Sequence, residues 1–253
     1  MDERMAAQRL KLLPKNDIAA LRARWTPEQV PQMANPRRKD DWRDKTITNR
    51  HWQPSPFGLT ADGRLDYRGF PYAVPQYQNL QSVDLSYVSP SHGATFLVHA
   101  VMEDCDFTGA AMGTLEESFL RCRFDLTTFD NNELSGVFNG CSFVQAKLLR
   151  CHSNAHFIDC DFRDASFADA DFSRARFVRC NFEGARFKRA DLHKAIFVGC
   201  RPSDTQLADC YCSDDIRFES DEGEVVEVTM PAPAEHPLLA WSDRYLKRVE
   251  GEG

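Results

Sequence analysis

Residues 155–199 read, in fives, AHFID CDFRD ASFAD ADFSR ARFVR CNFEG ARFKR ADLHK AIFVG. The third residue of each five is large and apolar: Phe157, Phe162, Phe167, Phe172, Phe177, Phe182, Phe187, Leu192 and Phe197. The first residue of each five is Ala or Cys, from Ala155 to Ala195. A helix repeats every 3.6 residues and a strand every 2, so a strict period of five belongs to neither. It requires a coil whose unit is five residues, stacked on copies of itself.

Segments such as Ala165-Ser166-Phe167-Ala168-Asp169, Ala170-Asp171-Phe172-Ser173-Arg174 and Ala190-Asp191-Leu192-His193-Lys194 resemble the pentapeptide-repeat family. The resemblance implies an all-β solenoid, a right-handed quadrilateral β-helix with one pentapeptide per side and four per coil. Wrapped in that way, the central positions form about six coils over residues 80–212. The rows begin at Leu97, Phe119, Phe138, Phe157, Phe177 and Phe197. The large central residues include Phe119, Phe124, Phe138 and Phe143 as well as the nine above, and rings in one column would stack along the axis. The period slips before Phe119, Phe138 and Phe157, each time at the same corner. Glu117 falls in a slot that elsewhere holds a small residue. Each buried Phe contributes on the order of 1.5–3 kcal/mol by area. An open column of this kind needs a cap at both ends.

Eight of the nine cysteines occupy the small slot. Cys122, Cys141, Cys160, Cys180 and Cys200 fall in one column, spaced 19 or 20 residues apart. Cys there substitutes for Ala as a small buried hydrophobe. Side chains of one column point the same way, which disfavours disulfides between coils. Free thiols, with no apolar leader after Met1-Asp2-Glu3-Arg4 and no apolar run near the roughly 18 residues that would span a membrane, suggest a cytoplasmic protein without membrane contact. The cluster Cys151, His152, His156 and Cys160 has metal-ligand residue types. The phasing points its cysteines inward and its histidines outward, so no metal site is expected. No catalytic or cofactor-binding motif is present, and the expectation is a protein that is not an enzyme and holds no cofactor.

Residues 1–79 carry 14 Lys+Arg against 9 Asp+Glu, residues 80–202 carry 13 against 16, and residues 203–253 carry 4 against 13. The first 79 residues read as an α+β cap. It has a helix starting at Asn16 or Asp17, a second helix start at Thr26-Pro27-Glu28-Gln29 and a hairpin turning at Asp62-Gly63. Residues 213–253 read as an acidic linker and an amphipathic helix. Leu238, Trp241, Tyr245 and Val249 line one stripe of that helix, which either caps the rod or pairs two copies in a homodimer.

Two functions follow, with a third in reserve. The first is a non-catalytic scaffold for protein–protein interaction, with a partner that the residues do not identify. The second is implied by a resemblance to the Qnr-type proteins, which imitate duplex DNA and protect type II topoisomerases such as DNA gyrase from inhibitors. A DNA mimic needs regular negative charge along its length. Residues 157–200 carry 7 acidic against 8 basic residues, which disfavours mimicry, and direct binding of nucleic acid is not expected either. The third is a secreted bacterial effector, since some effectors carry such repeats.

Overall fold

The computed structural model describes residues 10–26, 28–29, 55–71, 79–89, 95–211, 215–222 and 225–226. Their order is α1 (Lys15–Ala23), β1 (Leu65–Asp66), β2 (Asn79–Gln81), β3 (Val83–Asp84), β4 (Thr95–Glu103), β5 (Met112–Leu120), β6 (Glu133–Leu134), β7 (Val137–Asn139), β8 (His152–Ser153), β9 (His156–Ile158), β10 (Arg176–Val178), β11 (Ile196–Val198), α2 (Asp204–Ala208), β12 (Arg217–Glu219) and β13 (Val225–Val226). The strands stack in parallel as a β-solenoid of about 7 turns.

The five-residue unit has a local cause. On three of the four sides, the carbonyl of the central residue accepts from the N–H three residues on, as in Phe162 O with Ala165 N (3.0 Å) and Phe167 O with Ala170 N (3.1 Å). The third residue of each such turn has positive φ: Asp164 (56°), Asp169 (56°), Arg174 (64°), Gly184 (68°), Arg189 (57°) and Lys194 (58°). That is the conformation a type II turn demands. The residue before the centre is often Asp because its side chain accepts the N–H two residues on, from Asp161 to Arg163 (3.1 Å), Asp171 to Ser173 (2.9 Å) and Asp191 to His193 (2.8 Å). Such short-range carboxylate bonds favour a turn over helix or extended strand.

The remaining side is a true parallel sheet. β5, β7, β9, β10, β11 and β12 pair in register, so Phe119, Phe138, Phe157, Phe177, Phe197 and Phe218 form one column. Their rings stack at 4.8–5.4 Å with interplanar angles of 8–20°. The second column, Phe107, Phe124, Phe143, Phe162 and Phe182, stacks at 4.8–5.6 Å. Rings of adjacent columns meet edge to face, as Phe157 and Phe162 do at 76°. The ring spacing matches the distance between neighbouring strands, about 4.8 Å, so each coil places one ring on the last.

The register corrects the expected first row. Leu97 does not stand over Phe119: Met102 does, and Leu97 pairs with Leu115. The row is displaced by one side because β5 is a nine-residue strand rather than a chain of fives. Along it Met112, Gly113, Leu115 and Phe119 are buried, and Leu115 is buried two residues before Glu117. Glu117 has φ 92°, is half-buried, and faces Gly136 (φ 92°) on the next coil. Parallel pairing also runs past residues 80–212 on both sides, to Leu65 with Val83 and to Phe197 with Phe218.

At the N-terminal end the last buried rings are Tyr67 and Phe70, and Trp25 lies against both at 5.7 and 5.1 Å. α1 begins at Lys15, not at Asn16 or Asp17, because Pro14 supplies the extended entry and its carbonyl accepts from Ile18 N (3.0 Å). Gln29 Oε1 accepts from Thr26 N at 2.9 Å. The turn at Asp62-Gly63 joins the antiparallel bridge between Leu59 and Leu65, with Gly63 at φ 83°. Arg24 clasps Asp66 with both nitrogens (3.0 and 2.5 Å), and Arg68 adds a third contact at 2.8 Å.

Candidate interaction surfaces

A coil that turns its large residues inward turns the residues beside them outward, so the stacking determines what each side of the rod offers. Phe119, Phe124, Phe138, Phe143, Phe157, Phe162, Phe167, Phe172, Phe177, Phe187, Leu192 and Phe197 are fully enclosed, and Phe182 is buried. The outer wall is therefore made by the positions on either side of them.

The cysteine column lies inside that wall. Cys122, Cys141, Cys160 and Cys180 are buried, Cys200 is half-buried, and all are free thiols. Each donates toward the carbonyl of a residue on the preceding coil: Cys122 to Met102 (3.4 Å), Cys141 to Phe119 (3.4 Å), Cys160 to Phe138 (3.3 Å), Cys180 to Phe157 (3.4 Å) and Cys200 to Phe177 (3.5 Å). Burial pushes the Cys105, Cys122 and Cys141 thiols well above the ordinary thiol range. Such thiols are protonated and poor nucleophiles. Cys151 is buried while His152 and His156 are exposed on the other side of the wall. Among the described residues no group of three or more His, Cys, Asp and Glu is placed to hold a metal ion. The stripe of Leu238, Trp241, Tyr245 and Val249 lies outside the described residues, and so does the homodimer reading that rests on it.

The side with the sheet carries apolar residues outside as well as inside. Ile158 and Val178 are half-buried neighbours in register, followed by Ile196 and Val198 on the next strand, while Asn139 separates them from Leu120, and His156 and Arg176 stand between Val137 and Ile196. β-branched residues suit strands on both faces, and here three-residue strands bring them into a flat wall. The next side is acidic, with Asp106, Asp125, Asp161, Asp164 and Glu183 against Arg123 and Arg163. The third side, with its following corner, is basic, with Lys147, Arg150, Arg186, Lys188 and Arg189 against Asp130, Asp169 and Asp209. Charge that balances along the chain is thus sorted by side. Coil-to-coil ion pairs occupy the corners: Arg179 holds Asp159 at 2.7 and 2.9 Å, Arg189 holds Asp169, and Arg121 holds Asp104 at 2.8 Å.

The outward apolar patch and the sorting of charge were not legible as patterns. Both are set by residues 19 or 20 positions apart, and only the wrap brings these together. No described helix is long and apolar enough to cross a membrane.

Residues 153–196 match the family model for pentapeptide repeats (9 copies). That segment therefore carries pentapeptide repeats, within a solenoid of parallel stacked strands. Among solved structures it is similar to two trypsin-treated forms of QnrB1, a plasmid-mediated fluoroquinolone resistance protein. One is 11% identical over 58% of this chain and 76% of that one, with a TM-score of 0.35. The other is 12% identical over 62% and 78%, with a TM-score of 0.32. HetL, a pentapeptide-repeat protein involved in heterocyst differentiation regulation from the cyanobacterium Nostoc sp. strain PCC 7120, is 15% identical over 66% and 95%, with a TM-score of 0.26. A comparison with curated proteins finds no match.

Proposed function

We propose that this protein is a non-catalytic scaffold for protein–protein interaction that docks its partner on the sheet side of the rod. The observation that carries the reading is the outward apolar cluster of Ile158 and Val178, paired in register, with Ile196 and Val198 on the next strand of the parallel sheet. Flat apolar area rimmed by polar residues is the usual mark of a docking surface. His156 and Arg176 stand beside Ile158 and Val178 on the same strands, and Arg176 is already paired with Glu219 at 3.1 Å.

In this reading the N-terminal segment closes one end of the rod, which the position of Trp25 over Tyr67 and Phe70 supports. The partner is a protein, and no step of chemistry is assigned to the thiols or the histidines.

The test compares proteins retained from a native lysate by the parent chain, by Ile158→Lys with Val178→Lys, and by Arg186→Glu on the third side. One partner lost only with the sheet-side change is the expected result. No retained protein, or retention indifferent to the sheet side, overturns it. A supercoiling assay with purified gyrase and a quinolone tests the rival reading, since clear protection would make topoisomerase the partner.

A further inference from the structure

Leu10-Lys11-Leu12-Leu13 precedes α1 and belongs to no repeat. These residues run along the outside of the rod, down one corner. That corner is a stack of turn residues: Tyr87, Gly109, Leu126, Gln145, Asp164 and Gly184, all at positive φ. Leu13 N donates to Tyr87 Oη (3.3 Å). Leu12 fills the notch left by the missing side chain of Gly109, where a Cβ would come within 2.7 Å of Leu12 Cδ2. The Gln145 amide holds both main-chain groups of Leu10, its nitrogen donating to the carbonyl (3.3 Å) and its oxygen accepting from the N–H (3.0 Å). A side-chain amide that reads the N–H and C=O of one residue fixes an extended backbone.

Past Gln145 the corner continues as a groove of about 560 Å³, whose charged lining is Asp125, Asp164 and Glu183 against Arg163. Three carboxylates thus face one cation. Arg163 is engaged by Asp161 (2.7 Å). Among the described residues neither Asp164 nor Glu183 has an ion-pair partner. An extended chain advances about 3.3 Å per residue and a coil about 4.8 Å. A chain extended in the same direction beyond Leu10 would bring residue 9 to the level of Asp164, and residues 6–8 to the level of Gly184 and beyond. The residues that would arrive there are Ala6, Ala7, Gln8 and Arg9, two small, one amide and one cation.

We propose that this groove is the docking site of the chain's own residues 6–9, with Arg9 between Asp164 and Glu183. The N-terminal segment would then form a continuous strap across the coils from Tyr87 to Gly184. Its occupant is charge-complementary, of sufficient length, and already aimed along the groove at Leu10. The strap would tie coils that otherwise contact only their neighbours, and would cover the acidic corner against other basic ligands.

Trypsin reads this directly, because Arg9 and Lys11 are both cleavage sites. In the full-length folded chain, cleavage after Arg9 should be slow. Asp164→Lys with Glu183→Lys should speed it about fivefold, the scale of one modest ion pair, with cleavage after Lys11 unchanged. Gln145→Ala should speed both. High salt should speed cleavage after Arg9 in the parent only. Should the lysine variant fold poorly by its melting curve, Asp164→Asn with Glu183→Gln must give a change of the same sign. Cleavage after Arg9 that ignores the groove charges while Lys11 stays protected would mean that the strap ends at Leu10. Protection that rises with protein concentration would mean that a second copy fills the groove. Either result overturns the proposal, and neither bears on the sheet-side patch.

Discussion

Phe162 and Arg163 are neighbours in sequence on opposite sides of the wall. Phe162 is fully enclosed between Phe143 at 4.8 Å and Phe182 at 5.6 Å, while Arg163 is half-buried and paired with Asp161. Phe162→Asp should prevent folding or cost at least about 4 kcal/mol, since it removes a ring and buries a carboxylate without a partner. Arg163→Asp should cost about 1 kcal/mol, from the lost surface pair and the new repulsion by Asp161. Thermal melts distinguish the two. Gly136 and Gly140 make a second pair. Both have positive φ, but a Cβ on Gly136 would come within 2.2 Å of Glu117 O, whereas on Gly140 the nearest atom is Arg121 Cγ at 3.5 Å. Gly140→Ala should cost about 1 kcal/mol of left-handed strain. Gly136→Ala should cost several times more, because backbone must move, and urea midpoints will rank them. The Phe positions were readable from their period alone. The clash at Gly136 was not, since Glu117 is 19 residues away.

At the scale of the element, each coil repeats one hydrogen-bonding scheme, and the cysteine column shows how small residues are used in it. A thiol fits where Ala fits and adds a weak donor toward the coil before. Under native conditions Cys122, Cys141, Cys160 and Cys180 should react with a thiol reagent at least about a hundredfold more slowly than after denaturation, because all four are enclosed in the wall of the rod. Rapid stoichiometric labelling of the native chain would contradict the packing. The elements least legible from sequence are β4 and β5. There the fives give way to nine-residue strands, and the expected first row shifted by one side. The short helix α2 is similar: Ser203 and Gln206 cap each other across its first turn, and Gln206 Nε2 reaches back to Phe182 O and Ala185 O at 2.7 Å. That local capping box departs from the repeat and still closes onto the previous coil.

Over the whole molecule, two sets of carboxylates oppose each other on acidification. Burial works against ionisation of Asp66, but the hydrogen bonds from Arg24 and Arg68 outweigh it and hold its carboxyl well below the ordinary 3.8. Its contribution to stability is therefore complete above pH 3.8 and is lost as pH falls below it. Burial raises Asp84, Asp125 and Asp191 above 3.8, so these take up protons first and their protonation favours the folded state. Asp66→Asn should lower stability at pH 7 by about 1–3 kcal/mol, the range for hydrogen bonds to a charged group. It should also flatten the loss of stability below pH 3.8, and urea titrations between pH 7 and pH 2 will show both effects. Charge sorted by side bears on binding too. If the sheet side is the docking surface, retention of the partner should depend little on salt and should survive Arg186→Glu, as apolar contacts do and steered ionic ones do not.

The residues alone determined that the middle of this chain is a solenoid of fives, because one repeated local unit encodes one repeated turn, and turn closure needs only near neighbours. They also placed the Phe columns from Phe119 onward and the small slots, since the coil length follows from the fold that the period implies. Tertiary structure decided where that regularity ends. Register placed Met102, not Leu97, over Phe119, carried the ladder to Leu65 and Phe218, and sorted a balanced set of charges into an acidic and a basic side. It also laid Leu10–Leu13 along one corner. These outcomes depend on which coil lies on which, through contacts between residues a whole turn or more apart, and no local pattern records them.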